Sequence, residues 1–189
     1  GGGLIDIKRK RWIGFLEKNE KDFLVSFSLN KENQEPKFLH SALDFGGYIS
    51  INSEADQIAW IQWQQPNMPW DSSELWWALF NDDGDIKVKR NIAGGVNKNN
   101  REISVFQPQW LDSGELIVSE DSNGWWNLII TDKYIEGHSF PQWKRMWTMQ
   151  SESAAPQWTY GMSTASSTNG KIIAANCRNG IWKLNLFSL

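Results

Sequence analysis

The sequence predicts an all-β chain, and two observations narrow this to a segment of a β-propeller. Residues 107–130 read as a three-stranded antiparallel meander, with short β-rich runs separated by Asp112-Ser113-Gly114 and Asp121-Ser122-Asn123-Gly124. Gly114 and Gly124 stand where a tight hairpin needs a residue that tolerates positive φ. The same order of strand, turn, strand, loop, strand then recurs along the chain. Trp76, Trp126 and Trp182 mark the third strands, at steps of 50 and 56 residues. Periods of roughly 40–50 residues with about four strands each are the mark of propeller blades. About four units, each a three- to four-stranded meander, fit the length.

In chain order, the first unit spans about 4–43. Its strands are expected at 4–7, 11–17 and 23–29, with an outer strand entered through 35–39. The basic cluster Lys8-Arg9-Lys10-Arg11 falls at the first turn, where four charges predict a solvated hairpin. The second unit spans about 44–95, with strands at 48–52, 57–63 and 74–81 and an outer strand at 87–92. Phe45-Gly46-Gly47 is read as a sharp turn into its first strand. Its middle strand, Ile58-Ala59-Trp60-Ile61-Gln62-Trp63, is apolar without alternation, which predicts a sheet covered on both faces. The third unit spans about 104–150, with a fourth strand expected at 144–148. The fourth spans about 156–189, with strands at 160–164, 171–176 and 180–187. Segments 97–100 and 150–155 read as polar crossovers.

Composition excludes several functions. The net charge is −3 among 189 residues, which argues against a nucleic-acid surface. No apolar run approaches the roughly 20 residues of a membrane-spanning helix, and the Gly1-Gly2-Gly3 start does not read as a signal peptide. One cysteine, Cys177, excludes an internal disulfide framework and fits a reducing, cytoplasmic setting; it is expected to be a small buried thiol. Two histidines and one cysteine cannot build a typical structural zinc site, and the acidic residues lack calcium-loop spacing. No cofactor, metal or catalytic residue is expected. Glu120-Asp121 reads as part of a turn.

The 13 tryptophans are the compositional oddity. Trp76-Trp77, Trp125-Trp126 and Trp182 fall at matching places, which predicts packing between neighbouring sheets. Trp110 and Trp158 each follow a Pro-Gln pair before a first strand. Trp70 breaks the pattern, lying in a loop of about ten residues, 64–73, where other units use a short turn. Long loops in compact folds tend to carry function. Asn67, Trp70 and Asp71 are therefore the candidate site residues.

Several blocks carry a family resemblance. Ala59-Trp60-Ile61-Gln62-Trp63, Pro66-Asn67-Met68-Pro69-Trp70-Asp71 and Glu74-Leu75-Trp76 resemble the propeller of bacterial prolyl-oligopeptidase-family serine peptidases of the dipeptidyl aminopeptidase or acylaminoacyl-peptidase type. Ala93-Gly94-Gly95, Val105-Phe106-Gln107-Pro108-Gln109-Trp110 with Gly124-Trp125-Trp126-Asn127-Leu128, and Pro156-Gln157-Trp158 with Tyr160-Gly161-Met162-Ser163-Thr164 follow in the same order. The resemblance implies a propeller that precedes a C-terminal α/β-hydrolase domain and restricts which peptides reach it. This chain carries no such domain. Gly161-Met162-Ser163-Thr164-Ala165 lacks the second glycine of a G-x-S-x-G elbow and any following strand–helix alternation, so Ser163 is not expected to be a nucleophile. Implied partners are peptide substrates and the hydrolase domain, and a propeller cut between blades would self-associate. Two other readings remain at this point: a stand-alone scaffold for protein or peptide partners, and a Trp-rich carbohydrate-binding module.

Overall fold

The computed structural model describes residues 2–188, which form strands, turns and irregular segments and no helix. The first sheet contains β1 (Gly3–Asp6), β2 (Arg11–Lys18), β3 (Lys21–Ser28) and β4 (Lys37–Ser41). The second contains β5 (Phe45–Ile51), β6 (Gln57–Trp63), β7 (Glu74–Phe80), β8 (Ile86–Val96) and β9 (Glu102–Ile103). The third contains β10 (Val105–Trp110), β11 (Leu116–Glu120), β12 (Asn127–Ile130) and β13 (Lys144–Arg145). The fourth contains β14 (Ala165–Thr168), β15 (Lys171–Arg178) and β16 (Ile181–Ser188). All four are antiparallel, and strand order in each follows the sequence. The first strand β5 lies along both β1 and β10, so the first three sheets fan out from a common inner edge.

Three apolar layers hold the sheets together. Ile13, Phe15 and Leu24 of the first sheet meet Ile58, Trp60, Ala78 and Phe80 of the second. Ala59, Ile61 and Leu75, from the other face of the second, meet Val105, Leu116, Val118 and Ile129. Leu111, Ile117 and Leu128 meet Ala165, Ile172 and Ala174. The missing alternation in β6 is thereby explained: Ile58 and Trp60 point one way, Ala59 and Ile61 the other, and all four are fully buried. Burial of a side chain this size contributes about 1.5–3 kcal/mol. The tryptophans follow suit in part. Trp60 and Trp77 are buried, and Trp60 stacks on Trp76 at 6.2 Å.

Several expectations need correction. The Lys8–Arg11 cluster is not a solvated turn. Lys8 and Lys10 are exposed, but Arg11 is buried, its Nε donating to Asp6 Oδ2 at 2.9 Å, and Arg9 Nη1 reaches the same oxygen at 3.2 Å. The Arg11 guanidinium also lies 4.6 Å from the Phe80 ring and donates to the Gly84 carbonyl. The buried Asp6 carboxylate makes this burial tolerable, and the pair clamps the first sheet to the second.

Gly46 and Gly47 lie inside β5 rather than at a turn. A Cβ on Gly46 would sit 2.2 Å from the Phe15 ring, and one on Gly47 2.1 Å from the Tyr160 ring, so close approach is what requires glycine. β8 runs through Ala93-Gly94-Gly95 instead of stopping before them, and β9 pairs with its end, giving that sheet five strands. The strand expected at 144–148 is only Lys144–Arg145, and the one expected at 160–164 lies instead at Ala165–Thr168. The 150–155 crossover is partly internal: Ser151 and Ser153 are buried, and Glu152 bridges to Cys177, itself half-buried.

The outer face of the fourth sheet is bare, and that of the first is partly covered, with Val25 fully buried on it. The register places Ile173 and Cys177 of β15 beside Trp182, Leu184 and Leu186 of β16 on the side away from the third sheet. All but Cys177 are exposed. On the first sheet, Ile5, Trp12, Leu16, Phe23, Phe27 and Phe38 share the face away from the second.

Candidate functional site

In a meander that starts at its inner edge, the turn between the second and third strands lies at the end where the first strand begins. The 64–73 loop, the β2–β3 and β11–β12 turns and the 156–164 segment therefore share one face. Several clefts open there, and three of them bear on the candidate segments.

The first, about 350 Å³, lies where the inner strands converge and is lined by Gly2, Tyr48, Gln107, Gln109, Tyr160 and Ser163, among others. Both β5 and β10 are broken there by β-bulges, between Gly47 and Ser50 and between Phe106 and Gln109. Each bulge holds a left-handed non-glycine residue, Tyr48 at φ 54° and Gln107 at φ 50°. Such backbone persists only where its surroundings hold it. Gln107 Nε2 lies within hydrogen-bond distance of Ser119 Oγ, the Ser153 carbonyl and Thr164 Oγ1, with two N–H donors for the three, and its Oε1 accepts from Thr164 N at 2.7 Å. Tyr48 donates its hydroxyl to the Gln157 carbonyl, and Tyr160 donates to that of Gly46. The bulges thus tie the 151–164 segment to the inner strands. Burial pushes the Tyr48 hydroxyl up to about 12, with neighbouring Tyr160 adding, so it is a neutral donor and not a base.

Ser163 belongs to this network. Its Oγ donates to the Ala165 carbonyl at 2.7 Å and accepts from Gln109 Nε2. Among the described residues no histidine bonds to it; His40 is buried between Trp60 and Trp76. The second cleft holds Glu17, Glu20, Asp22 and Asp44. Asp22 accepts from Gly46 N and Asp44 from Gln65 N, both at 2.9 Å, which staples the strand ends. Glu120 accepts from Ser122 and pairs with Arg145 at 3.1 Å, while Asp121 accepts from Ser104 N. Burial raises Asp121 above the usual carboxylate range, against the opposing Ser104 bond. The turn reading of that pair fits these bonds.

The 64–73 loop separates its three candidate residues. Asn67 Nδ2 donates to Glu102 Oε1 at 3.2 Å, and Asp71 Oδ2 accepts from Met68 N at 3.0 Å within the loop itself. Ser104 Oγ donates to the Pro69 carbonyl, fastening the loop to the next sheet. Trp70 turns toward the 156–158 segment, its ring 4.7 Å from that of Trp158 and inclined at 58°. These two rings, with Trp126, Glu152 and Gln157, line the third cleft, about 300 Å³. The sequence grouped Trp158 with Trp110 through the shared Pro-Gln-Trp string, but Trp110 is half-buried in β10 and Trp158 is 74% exposed. Glu152 and Gln157 carry no local signal of a site.

No family model and no curated protein matches the chain. Solved structures do. A puromycin hydrolase superposes with a TM-score of 0.82 at 24% identity over 98% of this chain. The chain has a β-propeller fold. This propeller also superposes on a puromycin-hydrolyzing peptidase of Mycobacterium tuberculosis, at 0.78 and 21% identity, and on prolyl oligopeptidase B of Galerina marginata, at 0.71 and 11%, each over 98% of the chain. It spans 28%, 29% and 25% of those three chains, less than a third of each.

Proposed function

We propose that this propeller is the non-catalytic part of a prolyl-oligopeptidase-family serine peptidase, of the dipeptidyl or acylaminoacyl type, and restricts peptide access to an α/β-hydrolase domain outside this chain. The superposition over 98% of the chain on a puromycin hydrolase carries this reading. The common face carrying the 64–73 loop and several clefts supports it. On this reading the partner domain supplies nucleophile, base and oxyanion hole for an acyl-enzyme route. The propeller supplies selection. Pro66 and Pro69 restrict φ along the loop, so it holds one shape at low entropic cost, as a selecting rim requires. Trp70 offers a half-buried aromatic surface and Asp71 an exposed carboxylate beside it.

The test uses the peptidase that contains this chain. Trp70→Ala and Asp71→Asn are expected to lower kcat/KM for peptides several-fold while changing it little for a small activated ester, which needs no selection. Equal losses on both substrates with a lower melting temperature would assign the loop to stability. This chain alone is expected to give no fluorophosphonate labelling, and labelling abolished by Ser163→Ala would overturn the non-catalytic reading.

A further inference from the structure

A further cleft, of about 540 Å³, lies where the fourth sheet meets the 149–151 segment. The register puts Asn176, Arg178, Lys183 and Asn185 on the face that buries Ile172 and Ala174 toward the third sheet. Asn176 stands directly opposite Lys183, and Arg178 stands opposite Ile181. Arg178 and Lys183 are therefore diagonal neighbours, roughly 7–8 Å apart where their side chains leave the sheet. Both are exposed cations. Among the described residues neither has an ion-pair partner, although seven ion pairs form elsewhere, and no residue lining the cleft is acidic. Like charges this close repel, and no carboxylate of the cleft offsets them. Beneath them lies a chain of donors. Asn185 Nδ2 donates to Asn176 Oδ1, and Asn176 Nδ2 donates to Ser151 Oγ at 2.9 Å. Asn176 is 4% exposed and Ser151 2%. The Ser151 hydroxyl accepts here and has its own hydrogen left to donate, and each carboxamide has a second N–H.

We propose that this cleft binds a carboxylate carried on a peptide, either its C-terminus or the side chain of an aspartate or glutamate. Two cations over a floor of buried donors are complementary to an oxyanion. The Arg178 guanidinium offers a carboxylate its paired N–H groups, and Lys183 adds a second charge. The volume is more than one small inorganic anion fills and falls in the range of about 300–1,000 Å³ of sites for organic ligands. Gln150 and Asn179, both exposed on the rim, have carboxamides that match the N–H and C=O groups of a peptide backbone. The chain as a whole carries a net charge of −3, so an anion is drawn here by these groups and not by the overall field. All of them belong to this chain, and binding here does not depend on the peptidase reading.

Isothermal titration calorimetry and carboxamide N–H shifts on this chain test it with four probes. N-acetyl-Ala-Phe has a free C-terminus, and N-acetyl-aspartate amide has only a side-chain carboxylate. N-acetyl-Ala-Phe-amide is neutral, and inorganic phosphate is an anion without a peptide. At least one carboxylate probe is expected to bind saturably, at least tenfold tighter than the neutral peptide and than phosphate, and which of the two does so identifies the source. Arg178→Gln should weaken that binding at least tenfold, and Lys183→Met, which keeps the stem and removes the charge, several-fold. Both side chains are exposed, so neither variant should lower the melting temperature, and either carries the test if the other proves unstable. Lys98→Gln removes an exposed cation elsewhere and should leave binding unchanged. The proposal is overturned if no carboxylate probe saturates or if the neutral peptide or phosphate binds as well. It is overturned too if both cleft variants bind like the native chain, or if Lys98→Gln weakens binding as much as they do.

Discussion

The bare face of the fourth sheet makes a quantitative prediction. Leu184 is 76% exposed and stands beside Trp182, Leu186 and Ile173 on one surface. The opposite face of the same sheet buries Ile172 and Ala174 against the third. Taken together, the four exposed side chains leave about two side chains' worth of apolar surface in water, or roughly 3–7 kcal/mol of unrealised burial. The outer face of the first sheet is partly covered, with Ile5 and Phe38 each 47% exposed on it. Association costs roughly 4–15 kcal/mol in lost freedom, so contact between these two faces should be weak but measurable. The faces differ, so the contact is head-to-tail and need not stop at a dimer. Leu184→Lys removes about 1–2 kcal/mol of burial and sets a charge in the contact, which at about 1.4 kcal/mol per decade weakens association at least tenfold. Sedimentation velocity across concentration, with an apolar dye as a second probe, reads both effects. Species growing with concentration are expected for the native chain, and a shift toward monomer for Leu184→Lys at unchanged melting temperature. A native chain that stays monomeric and binds no dye would refute the reasoning, as would a variant that associates like the native chain.

Two further predictions concern the clamp and the buried imidazole. Asp6→Asn leaves Arg11 buried without its countercharge and should cost about 3–5 kcal/mol in urea denaturation; a loss under 1 kcal/mol would mean that water reaches Arg11. His40 Nδ1 faces Lys89 Nζ at 2.9 Å and its Nε2 faces Gln62 Oε1 at 3.0 Å, a pattern that fits a neutral ring protonated on Nε2. Burial lowers its pKa below the usual 6.5, Gln62 opposes this, and Lys89 adds to it. The folded state therefore resists protonation, so His40's contribution is present above about pH 6.5 and is lost as pH falls through the lowered value. The urea midpoint should drop between pH 7.5 and 5 in the native chain and drop less in His40→Gln; parallel profiles would remove His40 from the account.

Much of the fold was legible because its signals are local. The turn glycines Gly114 and Gly124 are set by their immediate neighbours, and both have positive φ, 102° and 87°. The two-sided apolar run of β6 announces a covered strand without naming what covers it. The resemblance of 59–76 and the later blocks pointed to the fold that the solved structures share. Contacts across sheets were not legible. Arg11 reads as a surface charge until Asp6, Phe80 and Gly84 are brought around it, the last 73 residues away. Residues 160–164 have the look of a strand, but Gln107 holds the backbone of Thr164, and Tyr160 packs against Gly47. Trp70 and Trp158 are separated by the whole third sheet in sequence and meet only because the 64–73 loop and the 156–158 segment share a face. Periodicity reports which side of a strand is buried, since that depends on residues two apart. Which charges become buried, and which aromatic rings form a cleft, depends on segments placed together by packing at long range, and only the tertiary structure decided those.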